Sequence, residues 1–593
     1  METQSTDASP LEAARCELSK GENLAAFDIA RPALKADPGN DDLAHVAVLA
    51  LARSGAMDLA AELFRNSGLD KIANEEILGL RARLAKDIAL TAADPSSSPA
   101  LAISIAAYQQ GYDLNEGYYP AINVAFLQLL AGDEAARRDW AARALKAAGD
   151  EESYYAEATR AEALLLLDRM GDAEASLGRA ASLADATVGA KSTTWKQLNL
   201  VCARMGIDAS VLAPLKPGPV VHYCGHIIAA PGQKGRFPAD QEAEVAAALK
   251  AFFRESGCSR AIGSLAAGAD ILAAEAALEA GADLVAVLPF NANEFKHVSV
   301  ETAGGDWLQR FDACIKAARE VLFVTPDAYL GDDALFGYAS QFALGLVQQR
   351  AGWLQTEPHQ IAVWDGEDGP NAAAGTGYDL LAARRAGFGQ TVISVRSTRE
   401  APAASPDDGA DRDTSLDRLP RAIIFGDLKG FSALNDAQMP SYVEDVLGGL
   451  ARALDLFKER LLFRNTWGDG IYLVFDDLEA AAGCAFALQE AVKQVLIDNP
   501  TLPPTLGLRM GMHYGPVFQM EDPVLRRTNF FGSHVSYAAR TEPKTPEGEI
   551  YVTAQTAAAL ALECHDDYRC EYVGRIPLAK NYGEFPMYHL RRI

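Results

Sequence analysis

From Leu11 to about Leu212, apolar residues recur every three or four positions in a background of Ala, Leu, Glu and Arg, broken only by short Gly, Asp or Pro turns. That period is helical, so an all-helical region is expected. From Gly218 to about Arg396 the pattern changes to short apolar runs alternating with helical stretches, as in an open, mostly parallel α/β sheet. The runs are Val220-Val-His-Tyr-Cys, Arg260-Ala-Ile-Gly, Leu284-Val-Ala-Val-Leu-Pro, Val321-Leu-Phe-Val-Thr, Gln360-Ile-Ala-Val-Trp and Gln390-Thr-Val-Ile-Ser-Val. A polar, proline-bearing stretch follows from Ser397, too poor in apolar residues to bury anything, and a flexible linker is expected over 397–420. Beyond it, Arg421-Ala-Ile-Ile-Phe-Gly reads as a strand, and Leu461 to Phe475 reads as two strands joined by a Gly-Asp-Gly turn.

These patterns divide the 593 residues into helical repeats over 1–215, a Rossmann-like sheet over 216–396, the linker, and an α+β domain over 421–593. A chain of this length needs several cores. No uninterrupted apolar run approaches the roughly 20 residues of a spanning helix, and the opening METQSTDASPLEAARCELSKGE lacks a signal-peptide pattern. A soluble, cytoplasmic protein without a membrane partner is expected. The eight cysteines are scattered, without the close pairs of a zinc site or a disulfide framework. A net charge of -26 opposes phosphate neutralisation, so nucleic acid is not expected as a partner.

Within the helical region, Gly21-Glu-Asn-Leu-Ala-Ala and Gly55-Ala-Met-Asp-Leu-Ala start 34 residues apart, with Pro38-Gly-Asn closing the unit between them. Similar units open at Gly132-Asp-Glu-Ala-Ala and Gly171-Asp-Ala-Glu-Ala. The segment resembles a tetratricopeptide-like array, which stacks helix pairs and exposes a concave surface suited to a protein partner. The alternative is a helical spacer or dimerisation stalk.

In an open parallel sheet, ligands bind beyond the carboxyl ends of the strands. Two loops fit that place. Gly263-Ser264-Leu-Ala-Ala-Gly268-Ala-Asp270 leads from a strand into a helix, and Gly375-Thr376-Gly377-Tyr-Asp379 enters the last helix. Their small residues would let backbone amides approach a phosphate, although strand-to-helix turns use glycine for their own sake. His222 and His226 flank a strand end and read as hydrogen-bonded turn histidines. The order Cys224-Gly-His226, Arg236-Phe-Pro, Gly-Ser-x-Ala-x-Gly-Ala-Asp and Leu-Pro-Phe290 resembles the SLOG superfamily of Rossmann-like domains. That resemblance implies a nucleotide-derived ligand. The Pro-Gly-Gly-x-Gly-Thr loop of the hydrolytic members is missing from the sequence, which favours a sensor over a glycosidase.

The first C-terminal strand delivers Asp427 to its end, and the hairpin carries Asp469 at its tip. If those strands are neighbours, two carboxylates meet at one edge and repel unless cations sit between them. The alternative is a pair of ordinary turn aspartates. Five segments bear on the choice: Phe-Gly-Asp427-Leu-Lys-Gly-Phe-Ser, Trp-Gly-Asp469, Leu508-Arg-Met-Gly-Met-His-Tyr-Gly515, Phe531-Gly-Ser-His-Val-Ser536-Tyr-Ala-Ala-Arg540 and Leu578-Ala-Lys580. In that order they resemble the motifs of the class III nucleotidyl cyclase family, over almost all of 421–593. The resemblance implies a ferredoxin-like domain that works as a homodimer. It further implies that Asp427, Asp469 and the carbonyl of Leu428 hold two Mg²⁺ or Mn²⁺ ions, that Arg540 stabilises the transition state, and that Lys580 grips the polyphosphate of a nucleoside triphosphate. Ser536 stands where the family has a transition-state asparagine. Asn465 and Asn529 occupy the two positions that read the base; neither matches the usual residues, and ATP is expected only because bacterial-type members mostly use it. The SLOG-like and repeat regions would then regulate dimer geometry. Two other readings are a catalytically silent nucleotide-binding scaffold and a nucleotide hydrolase in the central domain.

Overall fold

The computed structural model describes residues 9–367, 374–399, 418–579 and 583–593. The chain divides into two compact units, one built of the helices up to Pro217 and the other carrying two β-sheets. Among the described residues, eleven α-helices run from Pro10–Ser19 to Val188–Met205 before the first strand. Gly21 and Gly55 both have positive φ (77° and 88°), and they precede the helices Asn23–Ala36 and Met57–Asn66 at the turns that the 34-residue spacing predicts. Gly132 repeats this at φ 77° after Tyr118–Ala131. Gly171 does not, because it lies in the first turn of Met170–Ser182, and Asp168 takes the left-handed conformation instead.

All six predicted strands of the central region form. β1 (Val220–Gly225), β2 (Arg260–Gly263), β3 (Asp283–Leu288), β4 (Glu320–Phe323), β5 (Pro358–Trp364) and β6 (Gly389–Ser394) make a parallel sheet in the order β4-β3-β2-β1-β5-β6. The succession runs outward from β1 on one side and restarts at β5 on the other. At such a reversal the crossover helices leave toward opposite faces and open a crevice at the carboxyl ends of the strands. β1 and β3 are almost wholly buried, as a strand covered on both faces should be.

The second sheet is mixed. β7 (Arg418–Lys429), β8 (Leu461–Trp467), β9 (Gly470–Phe475) and β10 (Gly507–Asp522) stand side by side as β10-β7-β9-β8, with a helix between β7 and β8 and another between β9 and β10. This is ferredoxin-like connectivity. β11 (Arg527–Phe531) forms a hairpin with β10, and β12 (Ile550–Thr553), β14 (Glu584–Arg592) and β13 (Tyr568–Pro577) extend the other edge. β7 begins three residues before the predicted Arg421, because Arg418, Leu419 and Pro420 pair with Phe518, Val517 and Pro516 of β10. At the other end of the predicted linker, Thr398 donates its backbone N–H to Gly235, so the described ends of that segment are both bound. Most of it, 400–417, lies outside the described residues.

Helix Leu478–Asp498, between β9 and β10, is long and apolar enough by length and composition to cross a membrane. Its buried face, including Ala481, Cys484, Ala485 and Leu488, belongs to the domain core. The two sheets are joined by the 21-residue helix Ala334–Leu354. Tyr338 on it donates to the carbonyl of Tyr514 (2.7 Å), and a Cβ on Gly345 would lie 2.2 Å from the carbonyl oxygen of Ala558, so glycine is what lets the helix seat there. Below its first turn, Arg418 of β7 makes a bidentate pair with Asp332 at 2.6 and 3.1 Å, both side chains being almost completely buried.

Candidate active site

β7 pairs antiparallel with β9 so that Asp427 lies opposite Gly470, and the N–H of Leu428 donates to the carbonyl of Asp469 at 3.1 Å. The two aspartates therefore stand at neighbouring strand ends. The positive φ of Gly468 (69°) makes the tight hairpin turn that presents Asp469. Tyr442 donates to the carbonyl of Gly468 at 3.0 Å and packs on Phe431, which fixes the turn from below. Its phenol is pushed up to about 12 by burial and by the charges of Asp469 and Asp427.

The register of β10 against β7 sets Arg509 across from Asp427, and their side chains form an ion pair at 2.8 Å. The same guanidinium holds Glu542 at 2.6 Å. Glu542 is pushed up to about 7, first by burial and then by the two aspartates, with Arg509 opposing the shift. Sequence reasoning missed Arg509 and Glu542. Arg509 sits inside the Leu508-to-Gly515 segment already singled out, but only the strand pairing shows what it faces.

Helix Ser533–Thr541 carries Ser536 and Arg540, both half-buried. Its end is seated tightly on β10, since a Cβ on Gly511 would come within 2.4 Å of the backbone nitrogen of Glu542. Its start is set by two buried, stacked imidazoles, with His513 Nε2 2.7 Å from His534 Nδ1 and His513 Nδ1 2.8 Å from Thr553 Oγ1. Burial pushes both rings down, His534 to about 3, so the pair is neutral. Lys580 lies outside the described residues.

The two positions expected to read the base lie on β8 and β11, which Arg527 of β11 bridges. Arg527 donates to Asn465 Oδ1 at 2.8 Å, while Asn529 donates to Asp522 at 2.9 Å and accepts the N–H of Phe530 at 2.8 Å. Because arginine only donates and a carboxylate only accepts, these bonds fix which way each amide points.

The residues fit a divalent cation. Two adjacent, half-exposed carboxylates are hard oxygen donors of the type that suits Mg²⁺ or Mn²⁺. Among the described residues no group of three or more His, Cys, Asp or Glu side chains gathers, so the remaining donors would come from backbone, water and substrate phosphates. Arg509, paired with Asp427, offsets part of the repulsion between Asp427 and Asp469.

Residues 420–592 match the family model of the adenylate and guanylate cyclase catalytic domain. This segment is a cyclase catalytic domain. Residues 23–128 match the model of the tetratricopeptide-repeat sensor region. No curated protein matches the chain. Solved structures similar to the cyclase domain include the adenylyl cyclase CyaB from P. aeruginosa (18% identity, 29% of this chain and 94% of that chain, TM-score 0.27). Two others are the guanylyl cyclase Cya2 (21%, 29% and 92%, TM-score 0.25) and the guanylate cyclase domain of RhGC from Catenaria anguillulae (15%, 29% and 96%, TM-score 0.24). The family match carries the assignment.

Upstream of the cyclase domain, the first of the two loops predicted to cradle a phosphate serves otherwise. Gly263 and Gly268 permit close backbone packing, since a Cβ on either would sit 2.5 Å from the backbone of Tyr223 or Ile228. The amides of Ala266, Ala267 and Ala269 are taken by Asp270, Ser299 and His226. The expected anion cradle does not form at this loop. Ser264, Asp270, Gly375 and Thr376 do line one cavity at the β1–β5 crevice, and Gly377 does not. His226, just past the end of β1, bonds Asp365 and Thr376 as expected of a turn histidine, whereas His222 lies within β1 and bonds Gln360 on the neighbouring strand.

Proposed function

We propose that the protein is a cytoplasmic class III nucleotidyl cyclase, converting a nucleoside triphosphate to a 3′,5′-cyclic nucleotide and pyrophosphate at a site shared by two copies of the domain. The observation that carries this reading is the placement of Asp427 and Asp469 at adjacent strand ends, within a segment that matches the cyclase family. Asp427, Asp469 and the carbonyl of Leu428 would hold Mg²⁺ or Mn²⁺. When bound, the ions supply positive charge to the ribose hydroxyl and the phosphates. The 3′-oxygen then bonds to the α phosphorus, the bond to pyrophosphate breaks, and the hydroxyl proton leaves to solvent.

Arg540 would donate to the phosphate as its charge grows, and Lys580 would hold the polyphosphate. Ser536 offers a single hydroxyl where the family places an amide, and so gives the ribose fewer bonds. The resemblance assigns the metal acids and the arginine of one site to different protomers. Asp427→Ala and Arg540→Ala should accordingly each lose activity alone and recover part of it when mixed, read as pyrophosphate release. Absence of recovery would count against the shared site. The helical repeats and central domain would regulate how the protomers meet, with the repeats offering a surface for a protein partner.

ATP is the expectation from the family at large. A second reading is favoured by the amide bonds just described. With Asn465 Oδ1 held by Arg527 and Asn529 Oδ1 held by Phe530, the freer side of both amides is N–H, Asn529 keeping one after its bond to Asp522. Donors suit the carbonyl edge of guanine or uracil and not the amino group of adenine.

A further inference from the structure

The crevice beyond β1 and β5 encloses a cavity of about 950 Å³, large enough for a metabolite. Two carboxylates reach it from opposite sides of β1. Asp270 lies in the first turn of the helix Ala269–Glu279, and Asp379 in the first turn of Thr376–Arg385. They are 6% and 5% exposed, and Oδ1 of each is buried without a hydrogen-bond partner. Oδ2 of Asp270 accepts from Ala266, with the Gly225 backbone also close, and Asp379 lies against Ser340 and Cys224.

Among the described residues, charge in the lining does not compensate them. Its charged residues are Asp270, Asp332, Asp333, Asp379 and Arg236. Arg236 is committed to Asp365, at 2.6 and 2.8 Å, and Asp332 is committed to Arg418. Asp333 is exposed and accepts from the Tyr329 hydroxyl, which leaves Asp270 and Asp379 as the buried uncompensated pair. Burial pushes Asp270 up to about 8, with the charge of Asp379 adding to it, and pushes Asp379 up to about 7. A buried acid without a counter-charge is costly, and the chain keeps two of them facing an open cavity. In their ionised form the two would repel an anion. A cation would remove the cost.

Another wall of the cavity is aromatic. Tyr329 stacks on Phe290 with centroids 4.7 Å apart, and Phe336 meets both rings edge-on. Tyr329 and Phe336 line the space, and aromatic faces attract organic cations. We propose that this cavity binds a small organic cation, whose ammonium, amidinium or guanidinium group is held by Asp270 and Asp379 beside the Tyr329 and Phe336 rings. The site adjoins the cyclase domain directly. Leu419 of β7 lines it, and Asp332 both lines it and holds Arg418, the first residue of the strand that ends in Asp427. On the same loop, Asp327 accepts from Ser533 at the start of the helix that carries Arg540.

The test titrates the full-length protein with agmatine, 1,4-diaminobutane and benzamidine, and with inorganic phosphate as the anionic counterpart, by calorimetry and thermal unfolding. At least one cation should bind saturably and raise Tm. Asp270→Asn and Asp379→Asn should each weaken it by about thirtyfold or more. Both variants should keep or raise the ligand-free Tm, since each removes an unpaired buried acid; a structural role would lower it. The proposal is overturned if none of the three cations binds, if phosphate alone binds, or if cation affinity survives both substitutions. None of these outcomes depends on cyclase activity.

Discussion

Arg509 and Asp427 face each other across β10 and β7 with 2.8 Å between guanidinium and carboxylate, so the chain supplies its own counter-ion to the acid expected to bind metal. Arg509 also holds Glu542, and Asp469 is close enough to raise the pKa of both Glu542 and Tyr442. Without Arg509 these carboxylates would repel one another. Arg509→Met should lower metal-free stability by about 2 kcal/mol, a figure reduced from that of a fully buried pair because both side chains are about a quarter exposed. Mn²⁺ should restore more of the Tm in the variant than in the parent. Scanning calorimetry with and without Mn²⁺ reads both effects, and an equal Mn²⁺ response would show that Arg509 is not standing in for a cation.

Arg418 and Asp332 are 4% and 1% exposed and join the two sheets of one unit. Removing one partner strands the other without solvent. Arg418→Met should cost about 3 to 5 kcal/mol, and the double variant Arg418→Met with Asp332→Leu should recover most of it. The midpoint of urea unfolding measures this.

The cavity carboxylates predict a pH dependence of stability. Their folded pKa values, about 8 and about 7, lie above the ordinary 3.8, so the folded chain keeps protons that the unfolded chain has released. Stability from this source is complete below about pH 4 and is lost as pH rises through the window to about 8. The buried imidazoles of His222 and His534, pushed down to about 3, act the other way and favour unfolding as pH falls below 6.5. Comparison at each pH with the Asp270→Asn, Asp379→Asn double variant isolates the carboxylates. Its advantage in Tm should be greatest near pH 8 and should shrink toward about pH 5; a constant difference would mean that these groups do not titrate in that range.

Arg527 orients Asn465 by taking its carbonyl and is itself stacked over Phe463 at 4.9 Å. Arg527→Met would free that amide to turn, so discrimination among triphosphates should fall by about tenfold, the worth of one hydrogen bond to a charged group. Competition between substrates in one reaction gives the ratio, and an unchanged ratio would remove Asn465 from base selection.

Much of this was legible in the residue order. The six central strands are apolar runs bounded by helical stretches, and all six form. Asp427 and Asp469 were placed at strand ends by the Gly430 and Gly468 turns that follow and precede them. What could not be read was pairing. Arg509 sits in a sequence segment remote from Asp427, and only the β10–β7 register brings them together. Asp270 looked like the end of a glycine loop suited to phosphate, but its carboxylate turns back to its own loop amide and excludes an anion. Arg418 looked like the end of a linker, because nothing local reveals that Asp332 waits for it in the folded unit.

The central claim is tested most directly by incubating the full-length protein with ATP, GTP, CTP and UTP separately in Mn²⁺ and identifying products by mass spectrometry, beside Asp427→Ala. The expected result is a 3′,5′-cyclic monophosphate with pyrophosphate, more from GTP or UTP than from ATP, and none from the variant. No cyclic product from any of the four, or an equal yield from Asp427→Ala, would contradict it.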